Sequence, residues 1–499
     1  MSDNKQSEIY GHVLKYTSIF GGVQGLSILI SLVRNKLVAL MLGPAGMGLV
    51  SLFNSILNFL SQATSLGISF SAVRHLSEIF DSGDDARIRH FVKIVRAWSM
   101  VAAALGFVLC VAAASVINSY VFDSGESHTW QVAALAPMVA MVAVTGGETA
   151  ILKGARRLRE LAGMQVYMVV AALVIAVPVY WKFRDAGIIP VLALTTLANM
   201  VLTMRVSARL YPFSLSGAAA LLGEGAPMVR LGMAFIVSGV FGSGAEMVVR
   251  SFLNNCADLD TVGLYNAGFM ITVTYAGMVF SAMETDYFPR LSAVNHDTAA
   301  VNLAANRQIE VSLLIIAPML TFLIMALPLL IPLLYSGKFT PVVDMAQVAT
   351  LSMYSRAMML PVAYMALAKG HSRAYLVLEG VSATGLVVLV MLCFSRWGLT
   401  GAGVGILLAN VFDLAVTLAY ARYRYRYRLS RHVLKYAAAQ IPIGVAAYLA
   451  TFADAVWLSV CIGVAATLAS TAISVYILHK KTSLWNKLKT KFIFSRKRG

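Results

Sequence analysis

Charged residues are scarce in this sequence, and acidic residues are the scarcest of them. Only 13% of the 499 residues are charged, with 23 Asp and Glu against 40 Lys and Arg, while 59% are hydrophobic. A soluble domain usually has about 25% charged residues. The composition therefore excludes an ordinary soluble enzyme or binding domain. Many apolar stretches reach the ~20 residues that span a bilayer as a helix, which predicts a polytopic membrane protein.

Cysteine and histidine patterns are also missing. The four cysteines are dispersed at Cys110, Cys256, Cys393 and Cys461, and the eight histidines form no HExxH or comparable cluster. Without a CxxC pair or clustered ligands, the sequence predicts neither a disulfide framework nor a metal site. We expect no catalytic residues, no metal and no cofactor, and hence a protein that is not an enzyme.

Fourteen apolar segments have the length of transmembrane helices. They lie near 14–42, 47–70, 97–119, 131–152, 161–181, 187–207, 228–253, 263–284, 310–336, 344–368, 373–395, 399–421, 434–453 and 455–478. The predicted fold class is therefore an all-α polytopic membrane protein with about 14 transmembrane helices.

The sequence repeats itself at a nearly constant offset. Arg34 and Arg250 are 216 residues apart, as are Ser27 and Ser243, while Gly48 and Gly263 are 215 apart. Each repeat holds an even number of spans, so a parallel repeat of two six-helix bundles is expected, plus a terminal helix pair. The predicted divisions are a cytoplasmic N-terminus 1–12, bundles 13–208 and 228–421 with a cytoplasmic linker 209–227 between them, a basic loop with helices 13 and 14 at 422–478, and a basic tail 479–499.

Basic residues are concentrated on one side of the predicted membrane. If the N-terminus is cytoplasmic, 32 of the 40 Lys and Arg lie in cytoplasmic loops and ends. This bias is the positive-inside rule and predicts that both termini are cytoplasmic. The net charge of +17 therefore indicates attachment to anionic membrane lipids, above all by the tail, rather than nucleic-acid binding.

Three helices carry polar stripes that should face protein or a water-filled cavity. The candidate substrate-binding residues on the first two spans are Gln24, Arg34, Lys36, Asn54, Asn58 and Gln62. Arg250 lies at the place equivalent to Arg34, and Arg356 lies in the middle of span ten. Guanidinium groups from both repeats suit an anionic oxygen-rich group such as a pyrophosphate. Two simpler alternatives are open, since Lys36 can snorkel to the interface and Arg250 can pair with Glu246.

Four segments resemble a known family. They are "NKLVALMLGPAGMG", "DYFPRLSAV", "LLYSGKFTPVVD" and "AKGHSRAYLVLEGVS". The likeness is to Wzx-type flippases for O-antigen and enterobacterial common antigen, in the multidrug/oligosaccharidyl-lipid/polysaccharide exporter superfamily, and covers residues 15–425. The resemblance implies a bacterial inner-membrane protein that moves undecaprenyl-pyrophosphate-linked oligosaccharide between leaflets. The polysaccharide polymerase and the chain-length machinery are then candidate partners.

Intramembrane acids are candidate ion- or proton-coupling residues, because an ionised carboxylate in a membrane is costly. The candidates are Glu148, Glu246, Glu379 and Asp413. Glu379 has no acidic counterpart 216 residues earlier, where Gly163 stands. Proton coupling through Glu379 is the preferred hypothesis.

Two other functions remain as alternatives. A multidrug exporter of the same superfamily shares the repeat, but its cationic cargo would be repelled by the intramembrane arginines. A membrane polysaccharide polymerase or ligase needs a large external loop, whereas the predicted external connections are short.

The first testable prediction concerns topology. A reporter fused to the C-terminal tail, or cysteine labelling there, should locate the tail in the cytoplasm, because basic residues are retained on that side. Labelling of the tail by an impermeant reagent in intact cells would contradict both the topology and the parallel repeat.

Overall fold

A computed structural model describes residues 3–80, 83–122, 127–213 and 218–481, with side chains described from Gly25 onward except at a few helical positions. The described residues form helices joined by short turns, with no strand among them. The α-helices are α1 (Asp3–Thr64), α2 (Ile68–Phe80), α3 (Asp85–Val121), α4 (Thr129–Ala133), α5 (Ala136–Gly154), α6 (Leu158–Phe183), α7 (Ile188–Leu210), α8 (Ala218–Cys256), α9 (Leu259–Phe269), α10 (Ala276–Ala293), α11 (Thr298–Leu334), α12 (Val343–Ala368), α13 (Ser372–Tyr425), α14 (Arg431–Ala450) and α15 (Val456–Lys481). The predicted all-α fold class is confirmed.

Ten helical segments of the described chain are long and apolar enough to cross a membrane. Three of them, Gly25–Thr64, Arg159–Leu210 and Ser372–Tyr425, each overlap two of the predicted spans. The predicted span at 344–368 forms α12, which is largely buried within its unit. A π-helical turn, Met270–Tyr275, joins α9 to α10 inside the predicted span 263–284.

Two long helices bend where two predicted spans meet. Gly43 interrupts α1 with φ 69° and ψ −171°, a backbone conformation that favours glycine, and Pro44 follows it. Within α13 the break is at Trp397 and Gly398, where Gly398 has φ 57°. Each kink ends one span and starts the next without an intervening loop.

The chain divides into two compact units. The first comprises residues 1–263 with Leu333–Lys338, and the second comprises Leu264–Pro332 with 339–499. In the first unit α8 packs against α1, α2 and α3, so this helix belongs to the first unit. It begins at Ala218, within the predicted linker 209–227. The sequence repeats at 13–208 and 228–421 remain a prediction.

Each unit has its own apolar core. Leu76 of α2, Val95 of α3, Ala150 of α5 and Met228 of α8 are buried together in the first unit. The core of the second unit is built mainly by α11 and α12, for example through Leu313 and Met353. Burial of these faces stabilises each unit, since helix packing in a bilayer relies on close contact between side chains.

The terminal pair α14 and α15 is joined by a buried polar contact. Gln440 on α14 donates from Nε2 to Ser474 Oγ at 3.0 Å and accepts from Ser470 Oγ at 2.6 Å. All three side chains are buried. Such hydrogen bonds between helices help to hold transmembrane helices together.

Candidate functional site

A polar cavity of about 590 Å³ lies within the first unit. Its walls come from the second half of α1, the start of α2, and from α5 and α8. The polar groups that line it are five serines, two amides and one carboxylate: Ser55, Ser61, Ser65, Ser69, Ser243, Asn58, Gln62 and Glu246. The volume is in the range of about 300–1,000 Å³ that is usual for ligand sites.

Helical spacing explains how this cavity forms. Ser55, Asn58 and Gln62 are three or four residues apart on α1 and share one face, and Ser65 follows directly after the helix. The sequence predicted a polar stripe of Asn54, Asn58 and Gln62. The structure places Asn58 and Gln62 at the cavity, where Gln62 lies 3.2 Å from the position that a Cβ on Gly239 of α8 would occupy. Ser243 and Glu246 of α8 line the same cavity.

Four glycines line the polar cavity, and their lack of side chains leaves room in it. Gly146 and Gly147 on α5 and Gly239 and Gly242 on α8 all line the cavity. No atom lies within 4 Å of the position that a Cβ on Gly242 would take, so a side chain there would project into open space. The cavity volume thus depends on missing side chains as well as on polar ones.

Arg250 is held immediately beside this cavity. Its Nη1 donates to Glu246 Oε2 at 2.9 Å and its Nε donates to Ser51 Oγ at 2.9 Å. Arg250 is buried, whereas the Glu246 side chain is 43% exposed. The pairing of Arg250 with Glu246 that sequence spacing allowed is therefore present, and it holds Glu246 at the cavity wall.

The other described substrate-binding candidates of α1, Arg34, Lys36 and Asn54, are not among the residues that line this cavity. Arg34 is half-buried and donates from Nη2 to Asn35 Oδ1 at 3.2 Å. Lys36 donates from Nζ to the main-chain oxygen of Leu333 at 2.5 Å. Asn54 donates to Val50 O in its own helix at 2.9 Å. The side chain of Gln24 lies outside the described residues.

The second unit contains a small acidic pocket. Glu379 and Asp413 line a cavity of about 60 Å³ between the two halves of α13 and α12. Glu379 accepts a hydrogen bond from Tyr375, and Asp413 accepts from Ser382 and from Thr417 at 3.5 Å. Two of the four predicted coupling acids therefore share one site, although 34 residues separate them in the sequence.

Arg356 of α12 places a positive charge near the two carboxylates of this pocket. Its positive charge acts on both Glu379 and Asp413. Within the described part of the chain, the buried Nε of Arg356 has no hydrogen-bond partner. With both carboxylates ionised, the two acids and the guanidinium have a net charge of −1, which one proton or one monovalent cation would neutralise.

Glu148, the remaining coupling candidate, occupies a different environment. Arg96 donates to both of its carboxylate oxygens, at 2.8 Å from Nε and 3.1 Å from Nη2. The two side chains are 3% and 2% exposed. Arg96 also donates to the main-chain oxygens of Tyr211 and Pro212 at the end of α7. This geometry favours a structural role for Glu148.

The importance of Arg96 could not be found in the sequence. It stands among other basic residues that indicate a cytoplasmic end, and its partner is 52 residues away. No local spacing distinguishes it from exposed neighbours such as Arg89. Only the tertiary packing of α3 on α5 shows that Arg96 is buried and paired.

Comparison with known proteins identifies the family. Residues 37–344 match the family described as "Polysaccharide biosynthesis protein", a match that covers more than half of the chain. The chain belongs to the polysaccharide biosynthesis protein family. No curated protein matches its sequence.

Solved structures share the fold of this polysaccharide biosynthesis protein. The lipid II flippase MurJ, in an inward closed conformation, aligns with a TM-score of 0.66 at 15% identity, over 92% of this chain and 99% of that one. An inward-facing multidrug resistance MATE transporter of the MOP superfamily also gives 0.66 at 15% identity, over 82% and 98%. A MOP superfamily transporter from Pyrococcus furiosus gives 0.53 at 15% identity, over 82% and 94%. The fold is therefore that of MOP-superfamily transporters and flippases.

The buried ion pair of this polysaccharide biosynthesis protein gives the second prediction. Replacing Glu148 by Ala leaves the buried Arg96 without its carboxylate, which should destabilise the protein by about 3–5 kcal/mol. Thermal unfolding of the purified variant, followed by tryptophan fluorescence, measures the loss. An exposed pair provides the control, since Glu78→Ala removes only the surface partner of Arg74 and should have little effect. Equal melting temperatures for Glu148→Ala and wild type would show that the pair is not structural.

Proposed function

We propose that this polysaccharide biosynthesis protein is a flippase for undecaprenyl-pyrophosphate-linked oligosaccharide repeat units in the bacterial inner membrane. The observation that carries the proposal is the 590 Å³ cavity in the first unit, which serines, amides and a carboxylate line within membrane-length helices. A hydrophilic headgroup is the cargo that such a cavity fits. The family description, polysaccharide biosynthesis, supports the same class of substrate.

The polar side chains of the cavity can form hydrogen bonds with a glycan in place of those that the glycan forms with water. Sugar hydroxyls both donate and accept hydrogen bonds, and each costs free energy if it enters an apolar medium without a partner. Serine hydroxyls and the amides of Asn58 and Gln62 can replace water in both roles. Glu246 adds an acceptor, and Arg250 fixes its position. The unit would thus carry the headgroup through the membrane while the lipid tail stays in hydrocarbon.

The pyrophosphate requires cations, and the first unit carries several. Arg34 and Arg250 lie in the same unit as the polar cavity, and Lys36 lies on the same helix as Arg34. Guanidinium groups bind phosphate oxygens through two parallel hydrogen bonds, so we assign the anionic end of the substrate to Arg34 and Arg250. Arg356 is assigned instead to the acidic pocket of the second unit, because its charge acts on Glu379 and Asp413.

Coupling is assigned to Glu379 and Asp413. Uptake of one proton neutralises the pocket that they form with Arg356, and its release restores a charge of −1. Conformations of the protein differ in how far they expose this pocket to water. A change in the charge of the pocket therefore changes their relative free energies. Alternating access driven by this step would move the repeat unit to the opposite leaflet.

The multidrug alternative is less favoured by the same geometry. Among the described residues, the lining of the polar cavity contains no aromatic side chain, whereas sites for drug-sized molecules are lined mainly by apolar and aromatic side chains. A polymerase or ligase is disfavoured by the shared transporter fold. Polymerase and chain-length proteins are better placed as partners that receive the translocated repeat unit.

The third prediction tests whether cargo occupies the polar cavity. Gly242 lines the cavity, and a Cβ at this position has no atom within 4 Å, so Gly242→Leu should fill cavity space. Surface polysaccharide should therefore fall at least tenfold, while the protein level is unchanged. The measurement is polysaccharide display in a strain that lacks its flippase. Gly163→Leu on α6 is the matched control, because its Cβ position is equally free and it does not line the cavity. Wild-type display by Gly242→Leu would place the cargo elsewhere.

The fourth prediction concerns coupling. Glu379→Gln keeps the size and hydrogen bonding of the side chain but removes its ionisation, so transport should weaken and lose its dependence on external pH. Polysaccharide display measured at several external pH values tests this. Glu224→Gln, an exposed carboxylate that contacts His90, is the control and should behave as wild type. Retained pH dependence in Glu379→Gln would exclude this residue from coupling.

A further inference from the structure

The end of α13 and the turn that follows it alternate arginine and tyrosine in the sequence RYRYRYR, residues 422–428. In the structure, Tyr425 and Tyr427 are buried, whereas Tyr423 is 88% exposed. The exposed arginines of the turn are Arg422, Arg424, Arg426, Arg428 and Arg431. We call residues 422–431 the arginine turn. Buried tyrosines thus alternate with exposed arginines over its central part.

The buried tyrosines fix the backbone of the arginine turn to the second unit. Tyr427 donates from its hydroxyl to Asn306 Oδ1 at 3.2 Å, and Asn306 donates from Nδ2 to Arg428 O at 3.0 Å. The Tyr425 hydroxyl lies 2.9 Å from Nδ1 of His371, and the two rings stack. These contacts hold the backbone that carries the arginines in a defined position on the second unit.

Arg426 adopts a backbone conformation that arginine does not favour. Its φ is 52° and its ψ is 30°, in the left-handed region, directly after the last helical residue of α13. Tyr427 N donates to Ala421 O at 3.1 Å, which closes the end of the helix. Glycine is the usual residue at such a helix end. An arginine held here at a conformational cost suggests that its charge is needed.

The charges of the arginine turn are not neutralised by the protein. Within the described residues, no carboxylate forms an ion pair with any of the five arginines. Two exposed arginines of the first unit differ, since Arg74 pairs with Glu78 at 3.2 Å and Arg89 lies 3.8 Å from Asp85. Five uncompensated cations within ten residues create a strongly positive surface at the ends of two membrane-length helices.

We propose that the arginine turn binds the phosphate groups of anionic bilayer lipids. Guanidinium groups bind phosphate oxygens bidentately, and the ends of membrane-length helices lie at the level of lipid headgroups. The exposed Tyr423 adds an aromatic ring of the kind that is enriched at that level. This site requires only a membrane protein, so it stands whether or not the proposed flippase activity is correct.

Lipid-dependent melting of the purified full-length protein tests the site. Phosphatidylglycerol added to the detergent-solubilised protein should raise the melting temperature, and phosphatidylcholine should not. In Arg424→Gln/Arg428→Gln the apparent affinity for phosphatidylglycerol should fall by about fivefold for each arginine removed. The control Arg74→Gln/Arg89→Gln removes the same charge from paired arginines and should retain wild-type affinity.

The variant Arg426→Gly distinguishes an effect of the lost charge on lipid binding from an effect on the stability of the fold. Glycine relieves the left-handed conformation, so the melting temperature without lipid should be equal or higher, while the affinity for phosphatidylglycerol falls by about fivefold. Equal responses to phosphatidylglycerol and phosphatidylcholine would overturn the proposal, as would equal losses in the two double variants. A matching shift with inorganic phosphate alone would assign the site to free phosphate and overturn the lipid assignment.

Discussion

The cost of placing a polar group within hydrocarbon is the constraint on which the rest of this structure depends. A transmembrane unit can hold hydroxyls, amides and charges only if each meets a partner in the protein, in water or in cargo. The first unit satisfies Glu148 with Arg96 and orients Glu246 with Arg250. It gathers the serines and amides around one cavity instead of distributing them over the lipid face.

The degree of burial distinguishes a structural carboxylate, Glu148, from the carboxylates that we assign to function. Arg96 and Glu148 are almost completely buried, bind each other through two hydrogen bonds, and anchor the chain that leaves α7. Glu246 is 43% exposed to its cavity although Arg250 binds it, and Glu379 and Asp413 line a cavity around one arginine. A carboxylate that faces open space can exchange partners with a cargo or a proton, whereas the enclosed carboxylate of Glu148 cannot.

Helical spacing made much of this architecture predictable. The apolar segments, the kink at "GPAG" and the shared face of Asn58 and Gln62 all follow from local sequence and appear in the structure. Tertiary contacts were not predictable: nothing near Glu148 in the sequence identifies Arg96, and nothing near Glu379 identifies Asp413. The packing of α8 into the first unit also depends on contacts with distant helices, so the placement of Arg34 and Arg250 in one unit could not be inferred from their offset.

Translocation in a purified system tests the central claim most directly. The protein is reconstituted into liposomes that contain undecaprenyl-pyrophosphate-linked oligosaccharide with a fluorescent glycan, and an impermeant quencher is added outside. Our account predicts that glycans of the inner leaflet become quenched in liposomes with the wild-type protein, and that they stay protected in protein-free liposomes and with Gly242→Leu. Protection of the inner-leaflet glycans despite correctly folded wild-type protein would contradict the assignment as a flippase for lipid-linked oligosaccharides.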